Sequence, residues 1–123
     1  MNSRILIVDD NVQNLKLARV LFVGEGFEVR TATDAEVALE MLDAFEPSVI
    51  LMDLQLPGMD GLELTRRLKA DAARRKIRVV AITAYAMKGD EEKALAAGCD
   101  AYVAKPIDVD DLPKLVAKLI ERA

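Results

Sequence analysis

Short, unbroken runs of apolar residues constrain this chain more than any other feature of its sequence. Residues 49–52 are four apolar residues in succession, and they lead directly into one carboxylate, Asp53. A strand that is apolar at every position has both faces buried, which is typical of parallel sheets covered by helices. Asp53 would then lie at the carboxyl end of a central strand, where open α/β sheets bind ligands. Taken alone, Asp53 fits equally well as a residue that ends a strand before a loop.

Similar strand signals recur along the chain, and a segment with helical spacing follows each of them. In the first such segment, Val12, Leu15 and Ala18 predict the buried face of a helix that Asn11 caps. Thr33 and Glu36 form a capping-box signal for the second helix. The predicted strands are 4–8, 49–53, 77–82 and 101–104, together with an edge strand at 27–32 that alternates apolar and polar residues.

Strict alternation of strands and helices predicts a parallel sheet with helices on both faces. The expected fold is α/β, a doubly wound (βα)5 sheet of five parallel strands in the flavodoxin-like order 2-1-3-4-5. The chain has 123 residues and short connections, so we expect a single domain over 1–123.

Composition removes several classes of function. The chain has no histidine, which excludes Ser-His-Asp and Cys-His catalysis and histidine metal sites. A net charge of −4 argues against binding to nucleic acid. Cys99 is the one cysteine, so an internal disulfide is impossible and a cytoplasmic location is expected. No apolar run approaches the roughly 18 residues of a membrane span.

The predicted strand order brings several polar residues to one edge of the sheet. Strands one and three are neighbours, which places Asp9, Asp10 and Asp53 in one crevice. Thr83 and Lys105 follow strands four and five and lie on the same rim. Each has a plain structural alternative, since Asp9 and Asp10 fit helix capping, Thr83 an ordinary strand end and Lys105 a solvated lysine. Their coincidence at one edge favours a functional site.

The chemistry of these residues indicates a phosphoryl group and a magnesium ion. Three converging carboxylates repel one another unless a cation joins them. Hard oxygen ligands without histidine favour Mg²⁺. A lysine and a threonine hydroxyl suit phosphoryl oxygens. Because an aspartate can itself attack phosphorus, the residues predict phosphoryl capture by Asp53.

The whole chain resembles the receiver domains of two-component response regulators. The matching features are Asp9-Asp10 after the first strand, Asp53 in Leu-Met-Asp-Leu-Gln-Leu-Pro-Gly-Met-Asp-Gly, Thr83-Ala84, Tyr102 and Lys105-Pro106. Each motif is short, but together at these spacings they are specific.

The resemblance implies a role for each matching residue. Asp53 would be the phosphoacceptor, and Mg²⁺ would be bound by Asp10, Asp53 and the backbone carbonyl of Gln55. Asp9 would orient water around the ion, and Lys105 would pair with phosphoryl oxygens. Two residues would form the switch: Thr83 would move to hydrogen-bond the phosphoryl group, and Tyr102 would turn inward. By its residue type alone, Tyr102 is also an ordinary strand aromatic.

The resemblance also implies partners. A sensor histidine kinase or a histidine phosphotransfer protein would donate the phosphoryl group. Phosphorylation would then control binding of a downstream protein at the face formed by the fourth helix, fifth strand and fifth helix. The chain would be a monomer or weak dimer with no output domain, and it would catalyse only its own phosphoryl transfer and slow self-dephosphorylation. Alternatively, it is a receiver cut from a larger protein such as a hybrid kinase.

Three other classes of protein compete with this interpretation. A hydrolase of the haloacid dehalogenase type would need a second carboxylate two residues after Asp53, where this chain has Gln55. A flavodoxin-like cofactor carrier would need a glycine- and hydroxyl-rich phosphate loop after the first strand. A receiver that works without phosphorylation would usually lack one of the acidic, threonine or lysine positions.

Overall fold

The computed structural model describes residues 3–54, 56, 61–84 and 88–121. Within them, strands and helices alternate along the chain, and all strand pairs are parallel in the order β2-β1-β3-β4-β5. The elements are β1 (Arg4–Val8), α1 (Val12–Gly24), β2 (Glu28–Ala32), α2 (Ala35–Phe45), β3 (Val49–Asp53), α3 (Gly61–Ala70), β4 (Arg78–Thr83), α4 (Asp90–Ala97), β5 (Ala101–Ala104) and α5 (Asp111–Glu121). The predicted fold class and strand order are confirmed.

Helices cover both faces of the sheet. On one face, α1 and α5 pack against alternate strand residues such as Ile7 and Leu51. On the other, α2, α3 and α4 pack against the remaining residues, including Val8 and Met52. Because neighbouring residues of a strand point to opposite faces, a strand covered on both sides must be apolar throughout. All five residues of β3 are buried, as its unbroken apolar run predicts.

The predicted edge strand and the predicted start of the first helix are also confirmed. In β2, Glu28 and Arg30 are exposed, which agrees with the predicted edge position. Asn11 caps α1, since its side-chain oxygen accepts the backbone N–H groups of Gln13 and Asn14. None of the helices in the described ranges is long and apolar enough to cross a membrane.

Two local predictions were wrong. The N-cap of α2 is Asp34 rather than Thr33, because Oδ1 of Asp34 accepts the N–H of Val37 at 2.8 Å. Val12 does not belong to the buried face of α1, since 57% of its surface is exposed while Leu15 is buried. Val12 is the first helical residue, and it is exposed at the start of α1.

A network of charged groups joins β4 to the start of β5 at the edge opposite Asp53. Oδ2 of Asp100 accepts two hydrogen bonds, one from Nζ of Lys69 at 3.0 Å and one from the backbone N–H of Val79 at 2.8 Å. The backbone N–H of Asp100 in turn donates to the carbonyl of Val79 at 2.8 Å. Lys69 also donates to the carbonyl oxygens of Arg75 and Ile77, so its ammonium group has three acceptors. Asp100 therefore fixes β5 against β4 before the first residue of the strand.

We expect Asp100→Ala to destabilise the fold by about 2–3 kcal/mol, because it leaves the N–H of fully buried Val79 and the Lys69 ammonium without this acceptor. Asp43→Ala is the matched control. Asp43 also pairs with a cation, Arg74, but 89% of the Asp43 side chain is exposed. The free energy of unfolding of Asp43→Ala should therefore fall by less than about 1 kcal/mol. Urea unfolding followed by circular dichroism measures both changes, and equal losses would contradict the assigned role of Asp100.

Candidate functional site

The carboxyl ends of three strands converge at one edge of the sheet. Asp9 directly follows β1, Asp53 is the last residue of β3, and Lys105 directly follows β5. Backbone hydrogen bonds continue the sheet beyond these ends. The N–H of Leu54 donates to the carbonyl of Ile82 at 3.0 Å, and the N–H of Lys105 donates to that of Thr83 at 2.8 Å. The site residues are thus fixed by the sheet itself.

Three carboxylates meet at this edge. Asp9, Asp10 and Asp53 each offer an oxygen, and these oxygens lie within 4.8 Å of one another. Asp53 is only 6% exposed, Asp9 is also buried, and Asp10 is exposed to solvent. All three donors are hard oxygen ligands, and the exposed member leaves the cluster open on one side. The donor set therefore fits Mg²⁺, which prefers carboxylates and retains several waters.

Lys105 balances the charge of the two buried carboxylates. Its Nζ lies 3.2 Å from Oδ2 of Asp9 and 3.2 Å from Oδ2 of Asp53. Burial lowers the pKa of Lys105, but the charge of Asp53 and hydrogen bonds to both carboxylates outweigh it, so the pKa lies above its ordinary value. Lys105 is therefore a full positive charge at neutral pH, held where an anionic group on Asp53 would meet it.

The start of α1 orients Asp9. The backbone N–H of Asn11 donates to Oδ1 of Asp9 at 2.8 Å, while the Asn11 side chain caps the helix. Asn11 thus fixes both the start of α1 and the carboxylate of Asp9. The sequence signal for capping was correct for Asn11, and Asp9 binds the cap residue instead of capping the helix.

The other predicted site residues lie at or near this edge. Thr83 is fully buried at the end of β4, and its carbonyl accepts the N–H of Lys105. Tyr102 lies on β5 and packs against the core on the side of α2, α3 and α4. Its hydroxyl is buried without a hydrogen-bond partner among the described residues. Burial raises the pKa of Tyr102, and the charges of Asp90 and Glu91 raise it further. Gln55 lies outside the described residues.

Gly61 allows α3 to begin against the end of β3. A Cβ atom at this position would lie 3.1 Å from the backbone carbonyl oxygen of Asp53 and 3.2 Å from side-chain atoms of Met52 and Leu54. These distances are shorter than ordinary van der Waals contacts. Glycine is therefore favoured here, because a larger residue would have to push the end of β3 away by a few tenths of an ångström.

Sequence reasoning missed two features of α1. The side chain of Asn14 donates from Nδ2 to Oδ2 of Asp9 at 3.3 Å. An available signal was the placement of a poor helix former in the first turn after the acidic pair. The second feature is a stripe of exposed valines, Val12, Val20 and Val23, which we call the α1 valine stripe. The predicted buried face of α1 was correct for Leu15 and Ala18, but the sequence analysis did not single out the exposed valines.

Comparison with known proteins identifies relatives over most of the chain. A family model described as the response regulator receiver domain matches residues 5–117. The polar-differentiation response regulator DivK of Brucella ovis is 48% identical over 110 residues, which cover 89% of this chain and 89% of DivK. The sequence segments 84–92, 98–99 and 105–107 resemble DivK, and the comparison confirms this resemblance. These matches favour a receiver over the hydrolase and the cofactor carrier that the sequence left open.

Solved structures show the same fold. A CheY-like receiver domain protein from Methanospirillum hungatei is 30% identical with a TM-score of 0.91, over 99% of this chain and 96% of that protein. The receiver domain of a sensor histidine kinase from Pseudomonas aeruginosa is 31% identical with a TM-score of 0.89, over 98% and 99% of the two chains. That structure has a magnesium ion coordinated in the active site cleft.

We expect Gly61→Ala to lower the free energy of unfolding by about 1–3 kcal/mol, because the added methyl group overpacks the junction of β3 and α3. Gly24→Ala is the matched control. No described atom lies within 4 Å of a Cβ at Gly24, which ends α1, so alanine should stabilise the helix by up to about 1 kcal/mol. Urea unfolding of both variants tests the opposite signs, and a stabilised Gly61→Ala variant would show that α3 can move away from Asp53.

Proposed function

Because the chain belongs to the response regulator receiver domain family, we propose that it accepts a phosphoryl group on Asp53 from a phosphohistidine of a partner protein. One observation carries the proposal. Asp53 is a nearly buried carboxylate with two further carboxylates within 4.8 Å and an ammonium group at 3.2 Å. A purely structural strand end would not need this concentration of charge, whereas phosphoryl transfer does.

In the proposed reaction, a carboxylate oxygen of Asp53 attacks the phosphorus atom of the donor. The new P–O bond forms as the P–N bond to the donor imidazole breaks. The electron pair of the broken bond returns to the imidazole nitrogen, and the imidazole takes up a proton from solvent. Lys105, already 3.2 Å from Oδ2 of Asp53, is placed to pair with the oxygens of the arriving phosphoryl group.

A magnesium ion fits the acidic cluster, and we propose that this chain binds one there. Asp10 and Asp53 would hold it with the backbone carbonyl of Gln55, and Asp9 would orient its water. When bound, the ion neutralises charge on the carboxylates and the phosphoryl oxygens. The magnesium found in the cleft of the Pseudomonas aeruginosa receiver supports this assignment.

The phosphorylated state would be read at the face formed by α4, β5 and α5. A phosphoryl group adds negative charge and acceptors, which biases a two-state loop. Thr83 would donate its hydroxyl to that group, and its position at the end of β4, the neighbour of β3, supports this role. Tyr102 lies on β5 between this edge and α4, and it would report the change by its side-chain position. The downstream protein would bind the altered face.

We propose that the phosphohistidine donor docks on the α1 valine stripe. Asp53 is buried, so the donor must approach the open side of the acidic cluster, beside the start of α1. Val20 is 72% exposed, and Val12 lies two residues beyond Asp10. Exposed valines at helical spacing offer an apolar surface that suits a helix of a histidine kinase or a histidine phosphotransfer protein.

Several further predictions remain proposals. Receiver domains are signalling domains. We propose that the only reactions this chain catalyses are its own phosphorylation and its slow self-dephosphorylation. We propose a single receiver domain over 1–123, a cytoplasmic location, and a monomer or weak dimer without nucleic-acid or membrane binding. The family match over residues 5–117 and the 89% coverage of DivK support the domain assignment.

We expect the wild-type chain to gain the mass of one phosphoryl group when incubated with acetyl phosphate and Mg²⁺. EDTA should abolish the gain, because the acidic cluster then lacks its cation. Asp53→Asn should abolish it as well, since an amide is no nucleophile for phosphorus. Intact-protein mass spectrometry measures all three, with Asp43→Asn as a control that removes an exposed carboxylate elsewhere. Persistent labelling of Asp53→Asn would move the acceptor to another residue.

We expect Val20→Asp to slow phosphoryl transfer from a phosphorylated histidine phosphotransfer protein by about tenfold, because it places a charge in the apolar docking surface. Phosphorylation by acetyl phosphate should stay unchanged, since the site itself is intact. Radiolabel transfer in the two assays separates docking from chemistry.

Leu95→Asp is the matched control for this prediction. Leu95 is 48% exposed on α4, so the change places the same charge on a helix of the other sheet face. Transfer from the protein donor should then proceed at the wild-type rate. Equal slowing by both variants, or none by Val20→Asp, would contradict docking on the α1 valine stripe.

A further inference from the structure

Asn14 is the side chain of α1 that reaches into the acidic site. Its Nδ2 lies 3.3 Å from Oδ2 of Asp9, a long but formed hydrogen bond. The same oxygen lies 3.2 Å from Nζ of Lys105, and the other oxygen accepts the N–H of Asn11 at 2.8 Å. Asp9 is therefore held by one charged donor and two neutral donors, and both neutral donors belong to the start of α1.

The surroundings of Asn14 connect it with the site. Asn14 is half-buried and lines a small cavity of about 10 Å³ together with Asp9 and Asp53. The cap fixes its backbone, because the N–H of Asn14 donates to Oδ1 of Asn11 at 3.1 Å. The start of the helix therefore fixes the position from which the Asn14 side chain extends.

Helix stability does not explain an asparagine at this position. Asparagine is a poorer helix former than alanine, and its side chain competes with backbone hydrogen bonds. A neutral donor has a specific use beside Asp9, however. It fixes a carboxylate oxygen without adding positive charge, whereas Lys105 repels any cation that approaches the same group.

We propose that Asn14 is a positioning residue of the metal site, which orients the Asp9 carboxylate for a divalent cation. The inference rests on the proposed function and deepens it, because it names a residue that sets the magnesium affinity of this chain. Groups that hydrogen-bond metal ligands commonly change the metal affinity by about 10–100-fold when they are removed. Asp9 would orient water around the ion and not bind the ion itself, which reduces the expected effect. The long hydrogen bond and the two remaining donors to Asp9 place the expected effect at the lower end.

The test compares Asn14→Ala with Gln13→Ala. Both changes replace an amide side chain by a methyl group in the first turn of α1, but Gln13 is exposed and has no hydrogen bond to Asp9 among the described residues. Isothermal titration calorimetry with MgCl₂ should show about tenfold weaker binding for Asn14→Ala. Gln13→Ala should stay within about twofold of wild type, as surface substitutions commonly do. Urea unfolding in EDTA gives the metal-free stability of each variant.

The outcomes separate the inference from the proposed function. If Asn14 had a purely structural role, Asn14→Ala would lower the metal-free stability and leave the magnesium affinity unchanged. That result, or equal weakening by both variants, would overturn the role of Asn14 while the proposed function stands. A wild-type chain that binds no Mg²⁺ would overturn the magnesium site itself, and the role of Asn14 with it.

Discussion

Two nearly buried carboxylates, Asp9 and Asp53, share the single ammonium group of Lys105, and the rest of the site depends on that pairing. Like charges at short distance in a poorly solvated environment oppose each other strongly. Lys105 follows the last strand of the sheet, whereas Asp9 follows the first. The charge balance is therefore complete only when β5 has joined β4. Folding of the sheet and assembly of the site are one process for these residues.

Polar contacts at both ends hold β5, which burial alone holds weakly. Its four residues are half-buried or exposed, whereas all five residues of β3 are buried. Asp100 fixes the amino end of β5 through Lys69 and Val79, and Lys105 fixes the carboxyl end through the carboxylates. Segments with few buried apolar contacts are those that rearrange most readily. A change of charge on Asp53 would act first on Lys105, which directly follows β5, a strand with no fully buried residue.

The two faces of the sheet carry different structural features near the site. The start of α1 contacts Asp9 from one face, through Asn11 and Asn14, and the α1 valine stripe runs along the same helix. Tyr102 packs on the other face, towards α4. Because adjacent residues of one strand point to opposite faces, the short β5 can connect the two sides.

The strand order and the polar residues at the strand ends could be predicted from the sequence alone, because buried parallel strands must be apolar throughout and end in the loops that bind ligands. The family was predicted from a resemblance carried by those polar residues. Contacts that depend on the rotation and approach of whole elements were visible only in the folded structure. It exposed Val12, brought the amide of Asn14 to Asp9 and pressed Gly61 against the Asp53 carbonyl. Helical periodicity fixes which residues share a side of a helix, but the neighbouring elements decide where that side points.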